Sequence, residues 1–261
     1  MPDEAQALAE RLVECLASLG IDSGVGLVAV SGGTDSLDLL HLLAATADQH
    51  RLDLVVGHVD HGIHPDSADV ATRVADEATR LGLPIEATRL DLGPDAGETE
   101  AREARYRWLL ETLSRLTDPT GTTGVVLTAH QQSDQVETIL MRVLRGSGPA
   151  GLAGISAIRG RVVRPLLDVS RGELERYLEV IGVSAWADPS NLSERHLRGW
   201  LRKGVVPELR RKLPEVESAV ISLGRQARAA RQAWDEVLDE LPLDIASEGD
   251  GISFASAPLR V

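Results

Sequence analysis

The chain carries a single cysteine, Cys15, and its aromatic content is only 3%. One thiol forms no internal disulfide and no Cys-x-x-Cys metal or sulfur-relay site. Cys15 lies among Leu12, Val13, Leu16 and Leu19 at helical spacing, which predicts a structural thiol on the buried side of a helix. Long apolar runs are also missing, since nothing approaches the roughly 18 to 20 residues that cross a bilayer. The opening Met1-Pro2-Asp3-Glu4 is acidic where a secretory signal is basic, so no membrane partner is expected and the chain reads as cytoplasmic. Basic residues are the minority, 27 against 40 acidic, for a formal net charge of -13. That balance argues against a protein that coats itself with nucleic acid. Neither a Gly-x-x-x-x-Gly-Lys-Ser/Thr loop nor a Gly-x-Gly-x-x-Gly turn after the first strand occurs, which removes the kinase and dinucleotide phosphate loops.

What is present is periodic. A length of 261 residues, 43% hydrophobic, suffices for one large domain or a domain with an appendage. A helix is predicted over residues 5–19, then a strand over 25–30, a glycine turn and a helix over 37–47. The pattern repeats as strand 54–59, helix 67–81, strand 85–90, helix 98–116, strand 124–128 and helix 133–145. This alternation predicts an α/β fold with a doubly wound, mostly parallel sheet covered on both faces. Ligands then bind at the carboxyl ends of the strands, where three loops leave: 31–36, 60–64 and 130–134. The glycine-rich stretch 145–154 ends the alternation, with a hinge expected near 146–154. Ser170 and Glu173 have the spacing of a capping box for a helix over 170–181. The chain is divided at residue 214, with a helical tail over 215–261 that closes on a strand near 252–259. That pattern stops abruptly, so the tail is read as a short form or as a truncated accessory domain.

The densest chemical signal is Ser31-Gly32-Gly33-Thr34-Asp35-Ser36 between a strand and a helix. The glycines let backbone approach an oxygen-rich ligand, the hydroxyls add donors, and the helix aims its free N–H groups at the same point. A carboxylate in such a cradle repels phosphate unless a divalent cation lies between them, so Asp35 points to Mg²⁺. Elsewhere, ten Lys and Arg against three acids between Arg195 and Arg231 form either a solvated helix face or a patch for polyanions.

The Ser-Gly-Gly-x-Asp-Ser loop resembles that of the PP-loop ATP pyrophosphatases, which hold the part of ATP that leaves as pyrophosphate. Other segments resemble the tRNA(Ile)-lysidine synthetase branch of that superfamily. They are His58-Val59-Asp60-His61-Gly62 with Pro65, Ser67 and Ala68, then Glu98, Ala101-Arg102 and Arg105-Tyr106, then Thr128-Ala129-His130 with Asp134-Gln135-Val136-Glu137-Thr138. Leu144 to Gly148, Arg164 to Leu167, Trp186 and Asp188-Pro189-Ser190-Asn191 continue the likeness over about residues 24 to 214. Three positions depart from it: Ser133 and Ser193 stand where that family has aspartates, and Gly199 where it has an asparagine between two arginines.

The resemblance implies a ligase that adenylates the wobble cytidine of tRNA(Ile) and then joins L-lysine to it. Its partners would be ATP, Mg²⁺, the tRNA(Ile) anticodon stem-loop and lysine, with a homodimer as a candidate assembly. It nominates Asp35, Asp134, His130, Arg198 and Arg202 as catalytic. Ser31, Gly32, Gly33, Thr34, Asp35, Ser36, Asp60, His61 and Arg105 would bind ATP, and Asp35 and Asp134 would hold the metal. Each also has a plainer reading. Asp60 and His61 cap a strand end, His130 is a loop histidine, Arg102 and Arg105 are solvated, Asp134 and Glu137 answer a helix dipole, and Trp186 and Trp200 pack. Two other functions remain open, a PP-loop ligase for a small metabolite and an ATP-sensing module without turnover.

Overall fold

The computed structural model describes residues 2–62, 67–90, 92, 97–118, 121–183, 197–240, 243–248 and 251–256. Trp186, the 188–191 segment, Ser193 and Arg195 lie outside these, as do residues 63–66 of the second candidate loop.

The elements follow the alternation read from the sequence: α1 (Pro2–Ser18), β1 (Gly24–Ala29), α2 (Thr34–Ala45), α3 (Ala47–His50), β2 (Leu52–Asp60), α4 (Ser67–Arg80), β3 (Ile85–Arg89), α5 (Glu98–Thr117), β4 (Gly124–Leu127) and α6 (Gln132–Leu144). A 3₁₀ turn (Pro149–Ala153), two short strands, β5 (Ile158–Arg159) and β6 (Val162–Val163), and α7 (Arg171–Ile181) come next. The remainder is α8 (Leu197–Trp200), a π turn (Leu201–Val205), α9 (Val206–Lys212), α10 (Val216–Glu240) and the hairpin β7 (Leu243–Glu248) with β8 (Gly251–Ser256). Ser170 and Glu173 form the predicted capping box, and Gly182 ends α7 in the left-handed region.

The main sheet has the order β3-β2-β1-β4-β6-β5, parallel except for β5 at the edge. Successive residues of its buried strands serve opposite faces. Val28 and Val56 join the cluster under α1, α2, α4 and α7, while Leu27, Val55 and Val126 join the cluster under α5. From β1 the chain runs outward through β2 and β3, then returns to β1's other side as β4. The order therefore reverses between β1 and β4, and the loops after these two strands open a crevice at their carboxyl ends.

The stretch 146–154, read as a hinge, is fastened on two sides at its end. Arg142 donates to the Gly154 carbonyl at 2.9 Å, Gln135 exchanges hydrogen bonds with Ile155 at 2.7 and 2.8 Å, and Arg228 of α10 donates to Ala153 and Ile155 at 3.1 and 3.0 Å. Cys15 is half-buried rather than fully enclosed. Burial and the Asp168 carboxylate push its thiol up, so it stays protonated.

Candidate functional site

The first wall of the crevice is the loop between β1 and α2. Gly32 sits at φ +86°, and a Cβ there would lie 2.7 Å from Val70 Cγ1 of α4, so both conformation and space demand glycine. Ser36 fastens the loop from inside. Its Oγ donates to the Gly33 carbonyl at 2.8 Å, accepts from the Ser31 amide at 3.2 Å, and lies 3.3 Å from Ser31 Oγ. The sequence suggested Ser36 as a donor to a ligand, and within the loop its hydroxyl also shapes the cradle. Gly33 caps α2 without a side chain, leaving first-turn amides that have no intrahelical acceptor to face the crevice.

Asp35, in that first turn, has no hydrogen bond to its carboxylate among the described residues. Burial and the nearby Asp134 raise it to about 6, against the lowering pull of Arg171 and Arg202. One turn further along α2, Asp38 is fully buried with neither carboxylate oxygen hydrogen-bonded. Burial, then Asp35 and Glu175, raise it to about 8, and burial with the Asp38 charge raises Tyr177 to about 12. Periodicity gave no warning of Asp38, which occupies a core position inside an otherwise leucine-rich helix.

The opposite wall follows β4. Gln131 caps α6, and Asp134 reciprocates by accepting from the Gln131 amide at 3.0 Å. Asp134 and Glu137, three apart on α6, meet Arg198 and Arg202, four apart on α8 and the π turn. Arg198 donates to Asp134 at 2.8 Å and to Glu137 at 2.7 Å, while Arg202 donates to Glu137 at 2.5 and 2.9 Å. Glu137 is only 2% exposed, so the two guanidiniums supply the charge compensation its burial requires. The bonds to Glu137 also raise Arg202. Sequence reasoning assigned both arginines to ligand or transition state and missed this clamp, although the matching spacings of three and four were its signal.

The π turn has a local cause. Pro207 offers no N–H and its ring crowds the carbonyl four residues back, so the helix widens and the Val206 amide reaches Leu201 instead.

His130, half-buried, lies 3.1 Å from Thr128 Oγ1 through Nδ1. Burial, then Arg164, Arg102, Arg198 and Arg105, push it down to about 3, so it is neutral near pH 7. Burial and Arg105 also lower His61. Arg102 and Arg105 of α5 lie 5.1 and 5.6 Å from the Tyr106 ring; both send positive potential over His130, and Arg105 does so over His61 as well. Asp60 accepts from the Gly62 amide at 2.7 Å, a turn-forming contact at the end of β2. The structure thus brings Asp35, Asp134, Arg198, Arg202 and His130 to the crevice, with His61 and Arg105 beside it. Arg164, 5% exposed and donating to Ser156 at 2.9 Å, adds a buried cation that the sequence reading had placed only within a matching segment.

A doubly wound sheet with a glycine-built anion cradle at its switch point defines the class: a nucleotide-binding α/β domain of the adenine nucleotide alpha hydrolase-like type. The PP-loop domain profile matches residues 5–209, and the chain belongs to that family. The curated relatives it resembles include the tRNA(Ile)-lysidine synthase of Deinococcus radiodurans, 43% identical over 90% of this chain and 42% of the relative. That of Deinococcus deserti is 44% identical over 83% of this chain and 39% of the relative. The chain thus spans about two fifths of the length of these two proteins. Among solved structures, the U34-tRNA thiolase NcsA from Methanococcus maripaludis superposes with a TM-score of 0.67 at 14% identity, covering 96% of this chain and 84% of that one, a likeness of fold.

Proposed function

We propose that this chain is the ATP-using unit of a tRNA(Ile)-lysidine synthase: it adenylates the wobble cytidine of tRNA(Ile) in the cytoplasm and joins L-lysine to the activated base. The observation that carries the proposal is the Ser36-fastened cradle, whose left-handed glycine and free helix amides suit a departing pyrophosphate. The tRNA(Ile)-lysidine synthase name of the curated relatives supports the choice of acceptor.

The cytidine ring oxygen attacks the α-phosphorus of ATP and pyrophosphate leaves. The lysine side-chain amine then attacks the ring carbon and expels AMP. Ser31 to Ser36 hold the pyrophosphate portion, with His61 and Arg105 beside it. The arginines around His130 offset the charge that grows on the phosphates, and a neutral His130 can donate or accept a hydrogen bond without adding charge of its own. Asp35 suits Mg²⁺, because it combines a carboxylate unpaired among the described residues with a second carboxylate close enough to raise it. Mg²⁺ would screen the phosphates. Asp134, whose oxygens already accept from Arg198 and the Gln131 amide, would be free to hold the same ion only on giving up Arg198. Within the basic stretch, the exposed Arg210, Arg211 and Lys212 of α9 offer a surface for the anticodon stem-loop.

Pyrophosphate release tests the reading. Release that requires both ATP and tRNA(Ile), with lysine incorporated into the tRNA, supports it. Release with a small metabolite and no tRNA would replace the acceptor, and ATP binding without release would make the chain a sensor.

A further inference from the structure

A cavity of about 70 Å³ lies between α6, α10, the 153–157 stretch and the segment that follows β6. It is separate from the crevice, since none of residues 31–36, Asp134, Arg198 or Arg202 lines it. The space is several times the roughly 10 to 15 Å³ that one water requires, and well under the roughly 300 Å³ at which pockets begin to take drug-sized molecules. Much of its wall is apolar, including Ile139 and Ile221, yet three arginines reach it: Arg164, Arg225 and Arg228. Arg164 is only 5% exposed and meets no carboxylate among the described residues. Its Nη1 donates to the Ser156 carbonyl at 2.9 Å, while Nε is buried without a partner. A buried charge answered by a single neutral carbonyl is strongly unfavourable. Arg228, half-buried, spends only Nη2, on the Ala153 and Ile155 carbonyls, and also meets no carboxylate among the described residues. The acid on the wall answers neither charge, because Asp168 is mostly exposed and accepts from Arg225 at 2.8 Å. Cys15, on the same wall, stays protonated and brings no charge.

We propose that this cavity binds a small tetrahedral oxyanion, of the size of inorganic phosphate, between Arg164 and Arg228. The Nε–Nη2 edge of Arg164 matches two oxygens of such an ion, and Arg228 offers Nε and Nη1 from the α10 wall. A tetrahedral ion serves both arginines at once, whereas a planar carboxylate spends its two oxygens on one fork. Occupancy answers the buried charge and ties α10 to the end of β6. Arg164 also acts on His130, so an occupant would ease the pull that holds that histidine down. The inference goes beyond the chemistry proposed for the crevice and does not rest on it.

Cys15 is the chain's single cysteine and lines the cavity, so its alkylation by iodoacetamide reports occupancy. The full chain is titrated with inorganic phosphate against chloride at constant pH and ionic strength. Phosphate at about ten times its dissociation constant fills about nine-tenths of the sites, and alkylation should slow about tenfold if reagent enters only the empty cavity. The thermal midpoint should rise in parallel. Arg228→Gln should weaken the response at least about tenfold, as should Arg164→Lys, which keeps the charge but loses the fork. Ser36→Ala, which loosens the cradle in the crevice, should leave the response unchanged. An alkylation rate and a midpoint both indifferent to phosphate overturn the proposal, as does a response that chloride gives equally. A response that survives both arginine substitutions overturns it too, and loss in Ser36→Ala with retention in Arg228→Gln would put the ion in the cradle instead. Acetate as effective as phosphate overturns the choice of a tetrahedral ion.

Discussion

Replacing Asp38 by asparagine should make the protein more stable, and increasingly so as pH rises. The side chain is fully buried, neither oxygen is hydrogen-bonded, and its carboxyl is raised from 3.8 to about 8. The folded state therefore holds a proton that the unfolded state has released throughout the interval between those values. Stability falls as pH rises wherever the folded state binds more protons, by about 1.4 kcal/mol per pH unit for one group. By pH 7 this amounts to roughly 4 kcal/mol relative to acid conditions, an upper figure because water entry and relaxation soften it. Asparagine keeps the shape and carries no ionisable proton, so its own burial cost does not vary with pH. Urea unfolding of both proteins between pH 5 and 8, with chelator present, should show a gap in favour of Asp38→Asn that widens by at least about 2 kcal/mol across the range. A gap that stays flat, or that closes as pH rises, would refute the buried neutral carboxyl.

Four further outcomes are expected. Gly32→Ala should lose roughly 2 to 4 kcal/mol from its left-handed backbone and the clash with Val70, and Val70→Ala in the same chain should restore only the packing share. Glu137→Gln leaves Arg198 and Arg202 without their buried counter-charge and should cost about 3 to 5 kcal/mol, read by chemical denaturation. Ser36→Ala should leave the thermal midpoint within a few degrees while weakening ATP binding about tenfold by calorimetry, since the loop loses its internal ties. Asp35→Ala should fold normally and release no pyrophosphate, and undiminished turnover would remove it from the site.

Most of the strand and helix alternation was legible because apolar runs and breaks in sequence set it directly, and the loop at Ser31 to Ser36 because glycine and hydroxyl spacing reports backbone geometry. Contacts between distant segments were not. The clamp of Glu137 by Arg198 and Arg202 joins residues more than sixty positions apart, and only packing of α8 on α6 brings them together. Asp38 escaped notice for a different reason: a carboxylate one turn from Asp35 on a helix near the crevice looks solvated until the neighbouring α7 is in place. Ser36 was identified, but its direction was not, since a hydroxyl rotates and a motif does not say whether it faces inward or outward.

The wide turn before Pro207 also sets rotational phase. In a regular helix each step of four residues drifts about 40° around the axis. A turn that takes in one more residue lags instead and cancels the drift. Arg198, Arg202 and Val206, spaced by four, are thereby kept in line along a single neighbour, the first two meeting the acids of α6 and the third its Val136. The one proline in α9 thus acts as a key that holds an ionic contact and an apolar contact in register on the same rod.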